Sequence, residues 1–205
     1  MRYADSAEIK KFGTAECVKS VFVFLANYLL LMALIVLFLW INSMRDGAQS
    51  IPEYAASGYS SFIYLSASVF ILCFTIYFYY FFEDKSVLAT PRSVWLIFFL
   101  LDLSMLVCYF FGFFFNIYAR PIAMLALLAL MLIGRRDAIF LNVIFALLMF
   151  SVDHFSNFAA LNRYENALEI TPLITFSAGM IAIFAGSKVK TRLRPPRPTK
   201  RKSRK

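Results

Sequence analysis

The chain has 205 residues, of which 61% are hydrophobic, and its mean hydropathy is +0.70. Soluble domains run nearer 45–50% apolar, so this composition excludes an ordinary water-soluble globular protein. The formal net charge is +9, with only 12 acidic residues against 21 basic ones, which points to negatively charged surroundings such as lipid headgroups.

Residues 1–20 carry mixed charge and are too short for a domain; they read as a cytoplasmic lead-in helix. An uncharged run from Val21 to Ile41 follows. Runs of about 18 or more apolar residues match the thickness of a bilayer core, and the polar lead before this one makes it a span, 21–42, not a secretory leader. The second span is expected at 61–82 and the third at 94–118. The break at Arg120-Pro121 places Pro121 in the first turn of a fourth span ending near Gly134, since proline is best tolerated there. A fifth run covers Ala138 to Val152, and a sixth starts at Thr171-Pro172 and ends at Gly186-Ser187. The fourth and fifth runs are short for a ~30 Å core at ~1.5 Å per residue. A re-entrant hairpin would bury Arg135 and Arg136 at about 2.5–3.5 kcal/mol each, so two short spans are preferred.

The expected fold is therefore all-α: a polytopic bundle of about six transmembrane helices over 21–187, in the cell membrane. With the first residue placed inside, all basic residues but Arg45, Arg120 and Arg163 fall on the inner side. The positive-inside rule then puts both termini in the cytoplasm, and the balance survives removal of the tail. Between the last two spans, Phe155, Phe158, Leu161, Tyr164 and Leu168 recur at helical steps among polar residues, the pattern of an amphipathic helix resting at the outer interface. The tail, 188–205, holds Lys188, Lys190, Arg192, Arg194, Arg197, Lys200, Arg201 and Lys202 without one acid. It is expected to be unfolded and to lie on anionic headgroups, at about 1 kcal/mol per near-surface charge. No aromatic interleaving or reading module supports nucleic-acid binding.

Asp102 is the one carboxylate well inside an apolar run, and an intramembrane charge is a functional candidate with a partner to be found. Asn27 and Tyr28 in the first span, Thr75 and Tyr77 in the second and Asn142 in the fifth are candidate donors. The alternative is plain interhelical hydrogen bonding. Ala178, Ala182 and Gly186 repeat every fourth residue and suggest a close helix-packing stripe. The single histidine, His154, cannot form a zinc site by itself. Cys73 and Cys108 read as small core residues and Cys17 as a possible acylation point, with no disulfide or metal spacing. No nucleophile motif, metal-protease motif or phosphate loop is present, so neither an enzyme nor a cofactor is expected.

The stretches Arg120-Pro121-Ile122-Ala123-Met124-Leu125-Ala126-Leu127-Leu128, Arg136-Asp137-Ala138-Ile139-Phe140 and Gly179-Met180-Ile181-Ala182-Ile183-Phe184 resemble the later helices of bacterial seven-transmembrane receptors that carry an intracellular HD phosphohydrolase domain. The resemblance covers about residues 94–192. Those receptors have a large extracellular domain after their first helix, whereas the segment from Ser43 to Ser60 is short, and a hydrolase where this chain has a basic tail. The resemblance therefore implies a bare, receptor-like membrane module: non-enzymatic, sensing or scaffolding, and acting through a membrane or cytoplasmic protein partner. The alternative is a small-solute transport component or a membrane subunit of the rod-shape type.

Overall fold

The computed structural model describes residues 14–45, 51–83, 87–88, 91–115, 119–155 and 167–192. Six helices run through them: α1 (Thr14–Arg45), α2 (Ile51–Glu83), α3 (Pro91–Phe114), α4 (Met124–Leu132), α5 (Arg135–Phe155) and α6 (Ala167–Arg192). Four of these, α1, α2, α3 and α5, are long and apolar enough to cross a membrane.

Side-chain contacts fix the directions. Phe24 meets Tyr77 at 5.9 Å while Tyr28 bonds Ser66, so α1 and α2 are antiparallel. Phe24 packs on Phe98 and Phe38 on Tyr109, so α1 and α3 are parallel. Tyr79 stacks on Phe140 at 3.8 Å and Ser68 bonds Ser151 at 2.9 Å, which sets α5 antiparallel to α2. Asn142 bonds the Phe176 carbonyl while Arg135 lies over Phe184, so α6 descends along α5. Helices α1, α2, α5, α4 and α3 form a closed ring of neighbours, and α6 packs on α4 and α5. The core is apolar, with Leu31, Ile35, Leu65, Phe98, Leu101, Met105, Leu141, Phe145 and Met149 nearly or wholly sealed from solvent.

Several boundaries differ from expectation. The fifth element is a 21-residue helix that takes in Arg135, Arg136, Asp137, Asp153 and His154. At ~1.5 Å per residue it is about 31 Å long, so it is not a short span. The polar residues at both ends belong to the helix and do not stop it. Asp137 sits in its first turn, where the helix dipole favours an acid. The fourth element has only nine helical residues, because Pro121 lies in the turn before the helix and not in its first turn. Ile122 N–H donates to the Arg120 carbonyl and Met124 N–H to that of Pro121. Arg120 lies beside Asp153 at the far end of α5, and Gly134 adjoins Arg135 at its near end. Residues 120–134 therefore return along α5, a short helix between two turns.

Helix α6 starts at Ala167, earlier than the Thr171-Pro172 expected, and takes Pro172 inside. Of the expected interfacial helix, Phe155 thus belongs to α5 and Leu168 to α6, and the residues between, 156–166, lie outside the described residues. At the other end α6 continues through Lys188, Lys190 and Arg192. The basic tail expected to be unfolded from 188 begins as the last turns of a helix, where cations complement the dipole. Arg194, Arg197, Lys200, Arg201, Lys202 and lead-in residues 1–13 also lie outside the described residues. Residues 14–20 are continuous with the first apolar run in α1.

Candidate functional site

The strongest polar feature is an ion pair between the α3–α4 turn and the far end of α5. Arg120 Nη1 donates to Asp153 Oδ2 at 2.6 Å and Nη2 to Oδ1 at 3.1 Å, a bidentate fork. Both side chains are buried, 1% and 2% exposed. Tyr109 of α3 donates its hydroxyl to Asp153 Oδ1 at 3.0 Å, and the guanidinium carbon lies 5.0 Å from the Tyr109 ring centroid. Phe38 of α1 stacks on the other partner of that cation, Tyr109, at 5.1 Å.

Gly112 makes room for this arrangement. A Cβ there would stand 2.7 Å from Arg120 Nε, so the arginine lies directly on the α3 backbone. Burial opposes the charge on Arg120, but the Asp153 carboxylate and the Tyr109 side chain outweigh it and raise the guanidinium above its usual range. Asp153 accepts three hydrogen bonds and is committed to structure, not placed as a general base. The cluster joins α1, α3, the α3–α4 turn and α5 at one end of the bundle.

At the opposite end Arg136 forms a fork with Glu83, with Nη2 to Oε2 at 2.6 Å. This pair is solvent-exposed, and such pairs contribute about 0–1 kcal/mol. Helix α5 is nonetheless tied at both of its ends. His154, beside Asp153, is exposed and stacks on Phe150 at 5.6 Å.

The intramembrane candidates divide into separate places. Asn142 is fully buried on α5, and its Nδ2 donates to the Phe176 carbonyl at 3.0 Å. Gly179 is what admits it: a Cβ on Gly179 would fall 1.8 Å from Asn142 Oδ1. Thr75 is exposed on α2 and donates to the Ile71 carbonyl one turn back, so it points out of the bundle and cannot serve Asp102. Tyr28 is engaged with Ser66. Asp102 is 5% exposed on α3, and among the described residues neither carboxylate oxygen has a hydrogen-bond partner. Asn27 is buried on α1, with Nδ2 on the Val23 carbonyl at 2.7 Å and Oδ1 without a partner among the described residues.

The packing stripe of α6 is centred one residue later than the sequence suggested. Thr175, Gly179 and Ile183 are buried, whereas Ala178, Ala182 and Gly186 are half-buried at the flank. Gly186 still approaches α4, since a Cβ there would stand 2.8 Å from Leu130 Cδ2. Among the described residues no group of three or more His, Cys, Asp or Glu side chains could hold a metal.

The Arg120–Asp153 pair escaped the sequence reading, which placed both residues at the outer side without joining them. The signal was available: opposite charges at the outer ends of neighbouring spans, in a chain with few acids. Comparison with protein-family models, curated proteins and solved structures finds no match to this chain.

Proposed function

We propose that this chain is a non-enzymatic bacterial membrane module that senses or scaffolds through protein partners. In this reading it crosses the membrane six times, with both termini in the cytoplasm and its basic tail on anionic headgroups. The kinship with the membrane region of seven-transmembrane HD receptors belongs to the same proposal. It is supported by the Pro-led turn before α4, the basic start of α5 and the glycine in the last helix.

The observation that carries the reading over solute transport is the dispersal of the intramembrane polar groups. A transport site would gather Asp102 and Asn142 around one polar cavity. Instead Asn142 is spent on the α5–α6 contact, and Asp102 belongs to α3 among α1 and α2. Meanwhile α5 carries a buried charged fork at one end, Arg120–Asp153, and an exposed one at the other, Arg136–Glu83. The spans of α1 and α2 are only 22% buried each, against 61% for α5. Their outward residues, such as Phe22, Leu29, Ile63, Ile71 and Phe74, are exposed and suit lipid or a neighbouring membrane chain.

In-membrane photocrosslinking tests this. A crosslinker placed at Phe22, Leu29 or Ile71 in cells should give discrete protein adducts, while one at Ile181 on α6 gives a different set or none. Purified protein that instead accumulates a labelled small solute in liposomes would refute the scaffold reading.

A further inference from the structure

Asn27 and Asp102 stand on facing stripes of two parallel helices. Helix α1 turns Phe24, Asn27, Leu31, Ile35 and Phe38 inward, and α3 turns Phe98, Asp102, Met105 and Tyr109 inward. Two contacts bracket the pair: Phe24 with Phe98 at 6.3 Å below, and Phe38 with Tyr109 at 5.1 Å above. Asn27 lies three residues beyond Phe24 and Asp102 four beyond Phe98. At ~1.5 Å per residue these rises differ by about 1.5 Å; counted down from the upper contact, Asn27 to Phe38 and Asp102 to Tyr109, they differ by about 6 Å, so the two side chains lie within about one helical turn of each other along the α1–α3 seam.

The hydrogen-bond inventory at that level is one-sided. The Asn27 amide cannot be flipped, because the Val23 carbonyl only accepts and so requires the NH₂ group. Its Oδ1 is therefore turned away from Val23, and it is a buried acceptor without a donor among the described residues. Both Asp102 oxygens are in the same condition. A buried carboxylate without a donor is among the most costly groups in an apolar interior, and facing a second bare acceptor adds repulsion. A single hydrogen between them removes both defects, since a neutral carboxyl group has one O–H to donate and an amide oxygen accepts it.

We propose that Asp102 is a proton-binding site, occupied at neutral pH, with the carboxyl O–H donating to Asn27 Oδ1 across the α1–α3 seam. The proton comes from hydronium: one of its O–H bonds breaks as the carboxyl O–H forms, and a water molecule is left. Its release leaves two bare acceptors face to face and so opposes the α1–α3 contact. The other titratable groups near this level are few. Cys73 of α2 lies close enough to interact electrostatically with the carboxylate, with Tyr77 and Tyr80 further along α2 toward Glu83. Tyr28 of α1 is engaged with Ser66, and α4 has no titratable side chain. The assignment does not depend on which partner the bundle serves.

The test is infrared difference spectroscopy on the full chain in lipid nanodiscs at neutral pH. The expected result is a protonated-carboxyl C=O band in the wild type that Asp102→Asn removes. Asn27→Leu should shift that band, and the remote Asn142→Leu should leave it in place. Asp102→Asn donates an amide N–H where the acid donates O–H, so it should keep the melting temperature that Asp102→Leu lowers. Should Asp102→Asn not fold, carboxyl-¹³C aspartate labelling of the wild type reads the same protonation by NMR, with Asn27→Leu as the perturbation. A carboxylate signal for Asp102 at neutral pH overturns the proposal. So does a melting temperature that rises when sodium or potassium replaces choline in the wild type but not in Asp102→Asn, since that outcome assigns the site to a metal cation.

Discussion

Arg120 and Asp153 form the kind of pair whose two halves cannot be separated cheaply. Each is buried, and each is the other's principal counter-charge. Removing one partner of such a pair costs about 3–5 kcal/mol, whereas replacing both by apolar residues is often neutral. Arg120→Leu or Asp153→Leu alone should therefore lower thermal stability in detergent sharply, and the double variant should recover most of the loss. Equal losses in singles and double would show that the fork itself, not the orphaned charge, is what matters. Because Asp153 holds the guanidinium charged, no protonation change of Arg120 enters this effect at physiological pH. At the single-residue scale the sequence exposed identities but not pairings. Asp102 was visible as an anomaly because one acid among apolar residues needs no neighbour to be noticed. The Arg120 fork was not, because its meaning lies in a contact between residues far apart in the chain.

At the scale of elements, α5 and α6 meet through a fitted pair, Asn142 against Gly179. Gly179→Ala places a methyl group where the amide now sits, and overpacking of this kind costs about 1–3 kcal/mol. Asn142→Ala empties that space and loses the bond to the Phe176 carbonyl. The double variant Asn142→Ala/Gly179→Ala should be clearly more stable than the sum of the two single losses predicts, because the second methyl fills the room left by the first change. Additive melting-temperature losses would mean that the two residues do not share that space. The small residues of α6 were legible as a stripe, yet its centre was misplaced from Gly179 to Ala178. One helical residue is about 100° of rotation, and size alone does not say which of two adjacent small faces meets a neighbour. Helix ends were similarly misread. Arg135, Arg136 and Asp137 looked like interruptions and the fifth run was ended at Val152, but a helix carries polar side chains at its ends where they suit its dipole or find a buried partner.

For the whole molecule, the contacts and the charge pattern can be tested against each other. Glu83 meets Arg136, Arg135 meets Phe184, and Phe24 meets Tyr77, so the start of α1, the end of α2, the start of α5 and the end of α6 lie at one end of the bundle. His154 and Arg120 lie at the other. The aromatic contacts alone, Phe24 with Tyr77 and Tyr79 with Phe140, bring the start of α1, the end of α2 and the start of α5 together without reference to a basic residue, and that end carries Lys19, Arg135, Arg136 and Lys188. The alternation of apolar runs was legible because each must be long enough to cover hydrocarbon. The ring order of the helices was not, since it depends on which faces meet. If the six-crossing topology holds, single cysteines introduced at Glu83, Arg135 and Lys188, in a background lacking the three native ones, should all react with a membrane-impermeant thiol reagent only after lysis. A cysteine at His154 should react in intact cells. Labelling of position 135 in intact cells together with protection of 83 would break the Glu83–Arg136 end of the bundle. Uniform labelling of 83, 135 and 188 in intact cells would keep the fold and invert its orientation, against the positive-inside bias.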